Sequence, residues 1–182
     1  MRRAVAILFA TCSAAIAANV QAQKASAEIG TSLGVTILSG SGASITHVGV
    51  PAGGGPLAQP GLYATIFTSP SVMFEPQLSF LSLSSGGSSV TAFDLGVQLG
   101  YLATPAERNS AYVAANAAWQ TYSAGGAYGN SHSGLGLGGA VGYRMRVGAG
   151  FAVRLEARYR RWHGDFNGLN EVGFGIGLGG IL

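Results

Sequence analysis

Three histidines, one cysteine and seven acidic residues are the groups through which this chain could do acid–base, nucleophilic or metal chemistry. His132 and Ser133 are neighbours in a Gly/Ser-rich segment, and Asp165 closely follows His163. A serine relay needs a nucleophile and a base within hydrogen-bond reach, and an acid to orient the base. Adjacent residues of a strand point to opposite faces, so His132 and Ser133 make a poor dyad. His47, His132 and His163 have no metal-ligand spacing. "GVPAGGGP" and "GLGLGG" are glycine-rich but lack the Lys-Ser/Thr and the strand–helix setting of a phosphate loop. No catalytic residue, metal site or cofactor is expected.

Charge pairing is the chemistry this sequence does concentrate. Charged residues are 9% of the chain, yet "RLEARYRRW", Arg154 to Trp162, holds four arginines. Read with a period of two, Arg154, Glu156, Arg158 and Arg160 share one face, and Leu155, Ala157 and Tyr159 the other. A buried arginine needs an acid, because an unpaired buried charge is expensive. Glu75, Asp94, Glu28 and Glu171 fall on the matching parity of their own segments and are the expected partners. A second reading uses the same residues as a charged pore lining that favours anions. Arg161 has the opposite parity and is expected to reach the interface or lipid head groups.

Such a column needs strands to hold it, and the sequence supplies them by alternation. In "EVGFGIGLGGIL", Val172, Phe174, Ile176, Leu178 and Leu182 oppose Glu171, Gly173, Gly175, Gly177 and Gly179. In "TAFDLGVQLGYL", Phe93, Leu95, Val97, Leu99 and Tyr101 oppose Asp94, Gly96, Gln98 and Gly100. In "GLGLGGAVGYRMR", Leu135, Leu137, Val141, Tyr143 and Met145 oppose Gly136, Gly138, Ala140, Gly142, Arg144 and Arg146. The second face is mostly glycine, which suits the tight interior of a narrow closed barrel. The apolar face then meets lipid, and closure removes edges that lipid cannot hydrate.

Eight strands are predicted, near 26–38, 60–69, 72–84, 88–103, 110–122, 133–146, 150–163 and 170–182. Connections at 69–70, 103–110 and 147–150 are shorter; those near 39–60, 123–132 and 164–169 are mostly longer. Short turns on one side and long loops on the other are the periplasmic and extracellular ends of a bacterial outer-membrane barrel. Part of the first loop, about 44–50, is expected to form a hairpin arm. Pro76 falls inside the third predicted strand, where a bulge or kink is expected. The fold class is all-β, an antiparallel up-and-down transmembrane β-barrel.

The N-terminus reads as a secretory leader. "MRR" is basic, an apolar run follows, and "VQA" before Gln23 offers a cleavage site after Ala22. The expected domains are a signal peptide, 1–22, and a barrel, 23–182, exported through the Sec pathway. Losing Arg2 and Arg3 leaves eight basic and seven acidic residues, so the basic character belongs mostly to the leader and no nucleic-acid partner is expected. Cys12 leaves with the leader, so the barrel uses no disulfide. No other apolar run is long enough for a membrane helix.

Aromatic residues cluster near both sets of connections. Tyr101, Tyr143 and Phe151 lie near the short turns, and Trp119, Tyr122, Tyr159 and Trp162 near the long loops. Two aromatic girdles are expected where a barrel meets the two interfaces. A soluble lipocalin-like barrel is the rival fold, but it would need a charged outer face.

With its leader, its eight Gly-rich alternating strands and "RLEARYRRW" before a final alternating strand, residues 23–182 resemble the small outer-membrane β-barrels of the OmpA/OmpX type. The resemblance implies an eight-stranded barrel with a filled interior and a structural or adhesive role. Its partners would be outer-membrane lipids, periplasmic chaperones and the barrel-assembly machinery, with an unknown surface ligand. Some related barrels are narrow channels for small solutes or ions, and some are lipid-modifying enzymes; both stand as alternatives. One departure is the terminal Leu182, where such barrels usually end in an aromatic residue.

Overall fold

The computed structural model describes residues 27–40, 43–49, 61–85, 88–106, 109–125 and 130–182. The expected leader, with Cys12, lies outside them. Among the described residues there are nine strands: β1 (Ala27–Gly40), β2 (Ala43–Gly49), β3 (Leu62–Ser69), β4 (Val72–Ser85), β5 (Ser88–Leu102), β6 (Ser110–Gly125), β7 (Asn130–Val147), β8 (Phe151–Gly164) and β9 (Asn170–Ile181). Eight of them, all but β2, form one antiparallel ring, closed where β1 pairs with β9 from Glu28 to Ser39.

The ninth strand has a local cause. β3 has 8 residues and pairs only with the first part of β1, Ala27–Thr31. β2 folds back over the rest of β1, from Gly34↔Gly49 to Gly40↔Ala43. It thus takes the place beside β1 that a longer β3 would occupy. The hairpin arm expected near 44–50 corresponds to this strand.

Alternation fixes which face is which. Leu99, Val113, Val141, Phe151, Phe174 and Leu178 are more than half exposed on the outward side. The even-numbered residues of β8 turn inward: Arg154, Arg158, Arg160 and Trp162 are all buried. Glycine on the inner face makes room for these large side chains. A Cβ at Gly142 would collide with the Tyr112 ring, one at Gly100 with Met73, and one at Gly136 would crowd Trp162. The short β7–β8 turn uses positive φ at Gly148 (69°), a conformation other residues adopt with strain.

Two apolar clusters sit at opposite ends of the inside. Phe67, Met73, Leu102, Ala106 and Tyr112 pack at the end of the short turns. Leu38, Ala118, Trp162 and Phe166 pack at the other end, with Tyr122 and Leu169 against them. The polar lumen lies between these layers.

Pro76 behaves differently from the expectation. The β3–β4 register slips between Phe67 and Ser69, beside the turn, and keeps the same offset on both sides of Pro76. Apart from Thr68 at the slip, bridge pairs are missing at Ala64 and Thr65, across from Pro76 and Glu75. Proline removes one donor, and the strand absorbs that loss without a bulge. On its other side Pro76 stays in register with Val97.

Candidate functional site

The densest chemistry among the described residues is inside the barrel. Arg154 on β8 crosses the lumen to Glu75 on β4, with both guanidinium ends on both carboxylate oxygens; Nη2 donates to Oε1 at 3.0 Å. The same carboxylate accepts from Thr65 Oγ1 and, at 2.8 Å, from Gln77 Nε2. The Arg154 guanidinium also lies over the Tyr63 ring, 4.0 Å from its centroid. A bidentate pair with further hydrogen bonds is the geometry a buried ion pair needs.

The other named residues divide into partners and bystanders. Arg158 donates to Glu171 through Nε (3.1 Å) and approaches the same oxygen through Nη2 (3.0 Å). Glu171 also accepts from Trp162 Nε1 at 2.9 Å. Arg160 stays at 3.9 Å from Glu171 and hydrogen-bonds instead to Asn116 (3.1 Å) and Gln77 (3.4 Å). Glu156 accepts from Tyr112 (2.8 Å) and Gln98 (3.0 Å) rather than from an arginine. Asp94 is fully buried, yet neither carboxylate oxygen has a hydrogen-bond partner.

Glu28 is paired with an arginine outside the expected set. Arg144 Nε donates to Glu28 at 2.8 Å, and Arg144 Nη1 to the Ala106 carbonyl at 2.7 Å. Parity had already put Arg144 on the inner face of its strand, so the signal was present in the sequence. Gln98 was likewise on the inner parity of its strand, whereas Tyr63, Tyr112, Gln77 and Asn116 lie in segments whose alternation is less regular.

Little open space remains in the middle. A residual space of about 30 Å³ lies among Tyr63, Gln77, Arg154, Glu156 and Arg158. Roughly 10–15 Å³ of such volume holds one water, so a few waters at most fit there.

The aromatic set needs two corrections. Tyr101, Tyr143, Phe151, Trp119 and Tyr159 face outward with 44–66% exposure. Trp162 is fully buried inside, sharing the parity of Arg160, and stacks edge-on against Phe166 at 5.9 Å. Tyr122 shares the inward parity of Tyr112 on β6 and packs against the same cluster. Neither residue belongs to a lipid-facing girdle. Position near a loop had suggested one, but the two-residue repeat decides the face.

The histidine and serine candidates form no relay. Asp165 Oδ2 accepts the Ser133 backbone N–H at 2.8 Å. Ser133 and His132 occupy successive positions of β7 and so point to opposite faces. Among the described residues no group of three or more His, Cys, Asp or Glu side chains gathers to hold a metal.

Comparison with known proteins agrees with this architecture. Neisserial surface protein A has a solved structure with a TM-score of 0.62 and 11% identity, matching 87% of this chain and 97% of its own. Ail, the attachment invasion locus protein of Yersinia pestis, gives 0.56 at 10% identity, over 88% of this chain and 100% of its own. The N-terminal β-barrel domain of Pseudomonas aeruginosa OprF gives 0.50 at 16%, over 85% and 96%. These likenesses concern the fold. No curated protein matches the chain by sequence. The family described as outer membrane protein beta-barrel domain matches residues 4–180. The chain belongs to that family, and its place is the bacterial outer membrane.

Proposed function

We propose that this protein is a non-enzymatic outer-membrane barrel with a plugged lumen, acting as a structural or surface-binding element through its extracellular end. The observation that carries this reading is the Arg154–Glu75 pair, which joins strands across the lumen between two apolar layers. An eight-stranded barrel is only wide enough for side chains to fill it. Rigid barrels leave recognition to their loops and strand ends. Ail, a protein of the same fold, has been crystallised in complex with the heparin analogue sucrose octasulfate, so a barrel of this kind can take a ligand. Assembly would draw on periplasmic chaperones and the barrel-assembly machinery, with the alternating apolar set of β9 as the recognised strand.

Planar-bilayer recording tests the plug. The folded protein is expected to leave the bilayer silent. Steady stepwise conductance from the unmodified protein would overturn the reading. The narrow-channel alternative has one observation in its favour: Asp94 Oδ1 and Oδ2 and Ser79 Oγ are buried without hydrogen-bond partners, and such atoms usually bind water. Those atoms lie on neighbouring strands, Ser79 opposite Asp94. The lipid-modifying alternative finds no support in the geometry around Ser133.

A further inference from the structure

The loop between β8 and β9 is built as a seated cap. Asp165 and Asn167 are exposed, while Phe166 between them is buried and Leu169 half-buried. The Phe166 ring enters the mouth away from the short turns, joins the apolar cluster there and stands edge-on to Trp162. Glycines make the seats. A Cβ at Gly134 on β7 would collide with the Phe166 ring, and one at Gly40 on β1 with Leu169. The loop thus reaches over the mouth from β7 to β1.

Its polar attachments lie at its two ends. Asp165 grips Ser133 of β7 twice: its backbone N–H donates to the Ser133 carbonyl at 3.0 Å, and its Oδ2 accepts the Ser133 N–H at 2.8 Å. At the other end the Trp162 N–H donates to the Leu169 carbonyl at 2.9 Å. The bonds from Asn167 to Gly164 and from Leu169 to Phe166 stay within the turn and hold it together. Gly164 (φ 80°) and Gly168 (φ 87°) bracket this turn in the left-handed region, which glycine enters without strain. An internally bonded turn between two such joints is built to move as one piece.

The groups it covers are polar and unsatisfied. The row across from Gly134 runs through Gln120 on β6 and Asp94 on β5 to Ser79 on β4. Asp94 and Ser79 are buried, and both Asp94 oxygens and Ser79 Oγ lack hydrogen-bond partners. Such atoms carry a desolvation cost that water or a polar solute would relieve.

We propose that residues 165–169 form a hinged lid, which lifts from Gly134 and Gly40 to admit water and small polar solutes to Asp94 and Ser79. Below them the Arg154–Glu75 and Arg144–Glu28 pairs and the apolar cluster at the short turns stay in place. The open state is a blind pocket and not a channel. It rests on the plugged lumen for its floor; conductance tests the floor, and labelling tests the lid.

In a Cys12→Ser background the chain has no other cysteine. Ser79→Cys then reports on the covered row, and Ala152→Cys, fully buried toward the short turns, on the rest of the lumen. The folded protein in detergent is treated with a water-soluble methanethiosulfonate reagent. With the native loop Ser79→Cys is expected to label slowly, because only the lifted state reacts. Asp165→Ala removes the charge-assisted bond to Ser133 and should speed that labelling about tenfold. Phe166→Ala should speed it further, and Ala152→Cys should keep one slow rate with every loop. Equal Ser79→Cys rates with the native and Asp165→Ala loops, or a parallel rise at Ala152→Cys, would overturn the lid. Heat-modifiable gel migration shows that each variant is folded before labelling; Asp165→Ala alone decides the matter should Phe166→Ala fail to fold.

Discussion

Asp94 and Glu75 are both buried carboxylates of the lumen, and their surroundings set opposite expectations for removing the charge. Glu75 holds Arg154, Thr65 and Gln77. Asp94 holds no hydrogen bond, and it feels Arg160, Glu171 and Arg158 only through space. Removing a charge that has no direct partner relieves desolvation and strands little. Asp94→Asn should therefore change stability by less than about 1 kcal/mol, or raise it. Urea unfolding followed by gel migration in lipid vesicles measures this; a loss of several kcal/mol would mean that Asp94 is tied to Arg160 by a contact the geometry does not contain. Parity made these residues legible as inward. Which acid meets which arginine was not legible, because Glu75 and Arg154 are 79 residues apart and meet only after the ring closes.

Strands are where the sequence speaks most clearly and where its two rules conflict. A period of two is local, so the inner and outer faces of β5, β7, β8 and β9 could be read directly. Trp162 and Tyr122 show the conflict: closeness to a loop suggested a girdle, while parity placed both inside, and parity is the stronger rule because one residue of slip flips every side chain. β2 was harder to read, since its existence depends on β3 being too short to cover β1. Glycine on the inner face belongs to this scale as well. Gly142 lies under the Tyr112 ring, whose hydroxyl reaches Glu156. Gly142→Val should displace that ring and sharply lower the folded fraction, whereas Val141→Ala on the lipid face should fold like wild type. Both are scored by the heat-dependent gel shift after refolding into vesicles, and equal yields would argue against a tightly filled lumen.

At the scale of the whole molecule, scarcity of charge and the placement of charge have one cause. An apolar exterior leaves the inside as the place for ionised groups, and there they must pair. Arg144–Glu28, Arg154–Glu75 and Arg158–Glu171 do so on different strands of the ring. The first ties β7 to β1 across the closure and the second ties β8 to β4 on the far side, while the third joins the neighbours β8 and β9, so the network braces the cylinder as well as filling it. A double-mutant cycle on Glu75→Gln and Arg154→Gln, with unfolding free energies measured in vesicles, tests that bracing most directly. Either single change should cost about 3–5 kcal/mol by stranding its partner, and the double should cost far less than the two together. Single costs that simply add, with no coupling between the sites, would contradict a lumen held by this pair.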